Sequence, residues 1–294
     1  EAALPDGDGL ATRTRVRFAA DEAGHLAMRR HRTHELLAVE ACALGVPAIV
    51  QLRLGARTWT PGAEVEAISL DGAISPTVSV TTVERGTDRR APSHRNESVL
   101  DEAGLARGQA TTVLGEAFEV GAGVFWQVHR SAPALLVDVV LAGLELAVGD
   151  GVLDLYCGAG LFTRFAAIAV GETGSVVGVD ASRAATSDAR RNLAAYRWAK
   201  VVTAKVDRRS VERASDGCTH VVMDPPRRGA DRGALAAVCE VRSIRRLVSV
   251  SCDPSTFARD LRVLLDAGWA LRSVRAFDLF EMTEHLECIA VLER

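Results

Sequence analysis

No CxxC pair occurs anywhere in the 294 residues, and the six cysteines, at 42, 157, 218, 239, 252 and 288, lie scattered. That spacing argues against zinc and against a dense disulfide framework, and a reducing cytoplasm is the simpler reading. No apolar run is long and clean enough to span a bilayer, so no membrane association is expected. Residues 1–9 lack the charged-then-apolar layout of a signal peptide. No repeat or low-complexity tract is evident. The net charge is only −3, so the surface as a whole is no trap for polyanions. Methionine is missing from the first position as well, and the chain is read as a fragment or a processed chain.

What is present is an ordinary soluble composition, 48% apolar and 25% charged, enough for one large domain or two moderate ones. Basic residues cluster at Arg13, Arg15 and Arg17; at Arg29-Arg30-His31-Arg32; at Arg208-Arg209; at Arg227-Arg228; and at Arg242, Arg245 and Arg246. Such clusters are either solvated faces or local stripes for nucleic-acid phosphates.

Two halves differ in rhythm. Residues 10–120 carry short β-like runs: 13–19, 25–30, 35–39, 65–70 and 75–83, with a short helix after Pro47 and a hairpin-type turn at Asp71-Gly72. Residues 84–98 are polar and turn-rich and are expected to be a loop. From 131 onward, apolar strands and helices alternate. Strands are expected at 152–155, 175–179, 201–204, 220–223, 247–251, 270–276 and 286–292. Helices are expected at 131–147, 161–170, 182–197, 232–240 and 254–266. Alternation of this kind predicts a mostly parallel sheet covered on both faces, with ligands beyond the carboxyl ends of its strands.

Those strand ends carry unusual residues. The first delivers "DLYCGAGLF", Asp154 to Phe162, where Gly158 and Gly160 allow a tight turn and close backbone approach. The third glycine of a dinucleotide fingerprint is missing. The second strand ends at Asp180, placed to accept both hydrogen bonds of a ribose diol. An acidic Asp154 at the first loop disfavours a pyrophosphate and suits the cationic sulfonium and ammonium of S-adenosylmethionine. The fourth delivers "MDPPRRG", Met223 to Gly229, in which Pro225-Pro226 stiffens the chain after Asp224. The fifth delivers "SCDP". Asp253 suits a helix cap and Pro254 a first helical position, so Cys252 sits at a helix start whose dipole would favour a thiolate. Glu287 begins the last apolar strand, and a carboxylate there suits a general base.

Taken together, "FWQVH" at 125–129, "DLYCGAGLF", "DPPRRG", "SCDPSTFARDL" at 251–261 and "TEHLE" at 283–287 resemble the RNA 5-methyluridine, or (uracil-5-)-methyltransferase, family. The resemblance covers 125–294 in the family's order and implies the fold class: α/β, a Rossmann-like S-adenosylmethionine methyltransferase domain at 125–294, preceded by a smaller β-rich α+β domain at 1–124 that contacts RNA. It implies S-adenosyl-L-methionine as cofactor, tRNA or ribosomal RNA as partner, a cytoplasmic location and a monomer. It places Gln127, Tyr156, Gly158, Leu161, Asp180, Asp207 and Asp224 at the cofactor. Cys252 would be the nucleophile and Glu287 the general base. His129 and Leu161 stand where many members have asparagine, and Phe280-Glu281 where Phe-Pro is usual. Cys42 resembles the last ligand of the iron–sulfur cluster that many ribosomal-RNA members hold. Its three companions are missing from this sequence, so no metal is expected.

Three other readings compete: an RNA 5-methylcytosine methyltransferase, which would have a cysteine where Arg227 stands; a non-catalytic RNA-binding or chaperone module; and an NAD oxidoreductase.

Overall fold

The structure is a computed structural model, and it describes residues 9–30, 33–70, 76–84, 94–99, 109–121 and 123–294. The chain packs as two compact units. One takes in Asp6–Thr112 and Val128–Arg130, the other Val113–Gln127 and Ser131–Arg294.

In the smaller unit, β1 (Arg15–Ala20), β2 (Leu26–Arg29), β3 (Leu36–Ala38), β4 (Glu64–Ile68), β5 (Thr77–Glu84) and β6 (His94–Val99) form one sheet in the order β3-β2-β1-β4-β5-β6. All its pairings are antiparallel. Alternation dictates the buried face: Val16, Phe18, Val65 and Ala67 turn into a core with Leu26 and Trp59, while Arg15, Arg17, Glu64 and Glu66 alternate with them. A short helix, α1 (Pro47–Val50), begins on its proline as expected. Cys42 packs in this core. The loop expected over 84–98 is corrected in part. Residues 94–99 pair with β5 from Glu84↔His94 to Ser79↔Val99. A run such as His-Arg-Asn-Glu-Ser carries no apolar alternation, so main-chain pairing at the sheet edge defines this strand. Asp71-Gly72, His31 and Arg32 lie outside the described residues.

Strand β7 (Gln109–Val113) runs through the boundary between the units, and β8 (Glu116–Val120) lies in the larger one. There follow α2 (Ala132–Leu144), β9 (Gly151–Leu155), α3 (Leu161–Val170), β10 (Ser175–Asp180), α4 (Arg183–Asn192), β11 (Ala199–Thr203), α5 (Arg208–Ala214), β12 (His220–Met223), α6 (Arg232–Glu240), β13 (Arg246–Ser251), α7 (Pro254–Asp266), β14 (Ala270–Phe277) and β15 (Glu287–Glu293). The seven-stranded sheet runs β11-β10-β9-β12-β13-β15-β14. Its first five strands are parallel, and β15 is antiparallel to both neighbours. Strands β9 and β12 are buried along their whole length, which is why their residues are mostly apolar on both faces, with Asp154 and His220 as the exceptions. This is a Rossmann-like α/β core with a β-rich unit before it.

Helices α3, α6 and α7 span the residues the sequence predicts. Helix α4 does not reach Arg197. It stops at Asn192, whose side chain is committed to the backbone of Glu119 and Ala159, and the chain then turns so that the Trp198 indole donates to Ala167 O at 2.7 Å. Helix α5 was unexpected, although its signal was present. Asp207 and Ser210 form a reciprocal capping box. Among the described residues, no helix is long and apolar enough to cross a membrane.

Candidate active site

The turn after β9 is built from left-handed backbone. Tyr156, Gly158 and Gly160 have φ of +66°, +55° and +91°. The two glycines have different causes. A Cβ on Gly160 would lie 3.2 Å from the Cβ of Ala189, so that position is set by packing against α4. A Cβ on Gly158 would meet nothing within 4 Å, so that position opens onto free space. Asp180 closes the other side. Its Oδ2 accepts the Gly158 N–H at 3.1 Å and its Oδ1 accepts the Ser182 N–H at 2.7 Å. Tyr156 turns its hydroxyl to the backbone, where it accepts the Asp231 N–H at 3.0 Å. Leu161 opens α3 and is buried. Asp207 follows β11 and caps α5, its Oδ1 accepting the Ser210 N–H at 3.0 Å.

Asp154 is not an acid of the first loop, as the sequence suggests, but lies within β9. It is fully buried, accepts the Thr163 hydroxyl at 2.5 Å through Oδ2, and has no partner at Oδ1. Burial above all, with Asp224 and Asp180 nearby, pushes its carboxyl up to about 7.

Asp224 follows β12, and its Oδ2 accepts the Gln127 side-chain amide at 3.3 Å. Burial raises this carboxyl to about 6 against that hydrogen bond. Cys252 follows the end of β13, and Glu287 opens the neighbouring β15. In the β13–β15 ladder Ser251 faces Cys288, so the next step sets Cys252 beside Glu287. Glu287 is buried and its Oε1 has no hydrogen-bond partner. Desolvation, then the Asp224 charge, raises its carboxyl to about 9. Asp253 caps α7, accepting the Thr256 N–H at 2.8 Å, and Pro254 follows at the first turn, as the sequence predicts.

The expectation that this helix start favours a thiolate is corrected. The Cys252 thiol is pushed up to about 11, by burial first and then by Glu287 and Asp224, with Arg227 acting in the opposite sense. A dipole contribution of about 0.3–1 kcal/mol does not offset burial beside two carboxylates.

The structure therefore gathers two clusters on the strand-end edge: Gly158 with Asp180, and Gln127 with Asp224, Cys252 and Glu287. Thr163, Asp231 and Arg227 are additions to the expected set. Asp231 was legible as the cap of α6, whereas Thr163 gave no sequence signal. Many of the basic residues are committed elsewhere. Arg15 and Arg17 pair with Glu66 at 3.1 and 2.9 Å, Arg30 with Glu35 at 3.3 Å, Arg208 with Glu240 at 2.6 Å and Arg245 with Asp150 at 2.7 Å.

A sequence model of the family described as tRNA (uracil-5-)-methyltransferase matches residues 131–294. An uncharacterized RNA methyltransferase of Streptomyces coelicolor is 37% identical over 299 residues, covering 99% of this chain and 65% of its own length. One from Streptomyces avermitilis is 35% identical over 309 residues, covering 99% and 69%. The chain thus spans about two thirds of the length of these relatives. In fold it is similar to the Pyrococcus abyssi tRNA (uracil-54, C5)-methyltransferase in complex with S-adenosyl-L-homocysteine, with a TM-score of 0.72 at 19% identity, over 98% of this chain and 78% of that one. By the span of the family match and the identity to these relatives, the chain belongs to the tRNA (uracil-5-)-methyltransferase family.

Proposed function

We propose that the chain methylates C5 of a uridine in tRNA or ribosomal RNA, with S-adenosyl-L-methionine as methyl donor and a covalent Cys252–C6 adduct as intermediate. The observation that carries this reading is the Ser251↔Cys288 pair at the end of the β13–β15 ladder, which sets Cys252 and Glu287 side by side just past it, both within the field of Asp224.

The residues fit the cofactor. Gly158 leaves open space above a left-handed turn, and Asp180 is held flat by two backbone N–H donors while each of its oxygens keeps a lone pair for a ribose hydroxyl. Gln127, Tyr156, Leu161, Asp207 and Asp224 complete the proposed cofactor-binding set. When bound, the cofactor supplies an electrophilic methyl group on a sulfonium.

Uracil C5 is too weak a nucleophile to take that methyl unaided. Cys252 loses its proton to water, and Arg227 is the cation that favours the thiolate. The sulfur adds to C6, and the electron pair of the C5–C6 double bond makes C5 enolate-like. C5 bonds the methyl as the methyl's bond to the sulfonium breaks, its electron pair staying on the sulfur, so that the donor would leave as a neutral thioether. Glu287, as carboxylate, then takes the C5 proton; the electron pair restores the C5–C6 double bond, and the C6–S bond breaks. The target base must leave its stack, which costs least in a single-stranded loop. The functional division proposed with this reading is 125–294 for catalysis and 1–124 for RNA contact, in a monomer.

The test is nucleoside mass spectrometry of tRNA and ribosomal RNA incubated with the protein and S-adenosylmethionine. The expected product is 5-methyluridine. 5-Methylcytosine alone, or no methylated nucleoside, would overturn the reading.

A further inference from the structure

The ladder between β12 and β13 stops at Met223↔Ser249, so Asp224 and Cys252 both lie past the last paired residues. Beyond that point a side-chain clamp joins the two strand ends. Thr256 Oγ1 donates to Arg227 O at 3.1 Å, and Arg259 Nη2 donates to Arg228 O at 3.0 Å. Asp260 Oδ2 accepts the Ala230 N–H at 2.6 Å. Asp260 Oδ1 in turn accepts Arg259 Nε and Nη2 at 2.9 and 2.7 Å. The clamp thus engages Arg227, Arg228 and Ala230 of the loop after β12, and its side chains all come from the first two turns of α7. That helix begins two residues after Cys252 and is capped by Asp253.

The loop is shaped to receive it. The Gly229 N–H donates to Pro226 O at 2.7 Å and Gly229 has φ +80°, so the chain turns back on itself there. A Cβ at Gly229 would run into the Arg259 guanidinium and lie 2.7 Å from Asp260 Oδ2. Asp260 is only 4% exposed, and a carboxylate that deep is tolerated because both oxygens are bonded and a guanidinium pairs with it.

We propose that Arg259 and Asp260 are positioning residues for the covalent step: they lock the Arg228–Ala230 turn to the helix that follows Cys252, and so hold the adjoining Arg227 cation and the thiol in one fixed arrangement. This rests on the reading of Cys252 as nucleophile. Loosening the clamp displaces reacting groups without removing any of them. Misplacement by 1 Å costs on the order of a hundredfold in rate, so a partial release is expected to cost about tenfold.

The experiment measures the single-turnover rate of adduct formation on RNA containing 5-fluorouridine, across pH, for the full chain and for Arg259→Ala, Arg259→Lys and Asp260→Asn. Affinity for S-adenosylhomocysteine and Tm are measured in parallel. Arg259 is partly exposed, so its variants keep the test open if Asp260→Asn folds poorly. The proposal expects about tenfold slower adduct formation in Arg259→Ala, a pH profile displaced to higher pH because the Arg227 charge that favours the thiolate is displaced, and partial recovery in Arg259→Lys. Cofactor affinity should stay within about twofold. Wild-type rates and pH profiles in both Arg259→Ala and Asp260→Asn would overturn it, as would a rate loss matched by equal losses of cofactor affinity and Tm. If the wild type itself forms no adduct, the nucleophile assignment fails, which is a separate result.

Discussion

At the scale of single residues, the candidate site holds its protons. Glu287, Asp154 and Asp224 are raised to about 9, 7 and 6 from unfolded values near 4. The folded state therefore binds more protons than the unfolded chain between those limits. The stability these groups contribute is fully present below about pH 4 and is lost as pH rises through about 6 to 9. Thermal melts from pH 5 to pH 9 should show Tm falling more steeply for the wild type than for Glu287→Gln, with the gap widening toward pH 9. Parallel curves would contradict the buried, ionisable Glu287. Catalysis has the opposite slope. The thiolate and the Glu287 carboxylate are the reactive forms and both increase with pH, so single-turnover methylation should quicken from pH 6 to pH 9. The strand-end motifs put these residues forward as candidates. Their protonation was not legible: the helix-start argument for Cys252 sees only local sequence, whereas burial and the two opposing carboxylates come from strands far apart in the chain.

At the scale of elements, boundaries were legible wherever a cap was written in the sequence. Asp253-Pro254 starts α7 and Asp231 starts α6 as caps should. They were not legible where tertiary bonds decide, as at the end of α4 on Asn192 or along the edge strand β6. The glycine turn gives an element-scale prediction. Gly158→Ala costs about 1–2 kcal/mol for a left-handed alanine. Its methyl also enters the open space assigned to the cofactor, so calorimetry with S-adenosylhomocysteine should show a loss of affinity larger than the loss in stability. An unchanged affinity would place the cofactor elsewhere. Asp180→Ala removes the acceptor of two backbone donors together with the proposed ribose contacts, each charge-assisted bond being worth roughly 1.5–3 kcal/mol. Affinity should fall by about tenfold or more, and an affinity equal to wild type would reject Asp180 as a ribose contact.

At the scale of the whole molecule, the sequence declared a parallel sheet through its alternation, but not the position of its last strand. Strand β15 inserts between β13 and β14 and runs against both. That reversal lays Glu287 beside Cys252 although the two are separated by a helix and a strand. No local pattern announces it, since it depends on β14 pairing outside β15. The family motifs supplied the partnership, and the strand register supplies its physical cause. The measurement that tests this arrangement most directly is a covalent trap. RNA carrying 5-fluorouridine is incubated with protein and S-adenosylmethionine, boiled, and run on a denaturing gel. The wild type should give a protein–RNA band, because fluorine cannot leave C5 as a proton. Glu287→Gln should give the same band on ordinary uridine RNA, methylated once and stalled, and Cys252→Ala should give none. A boil-resistant band or full turnover in Cys252→Ala would contradict the account.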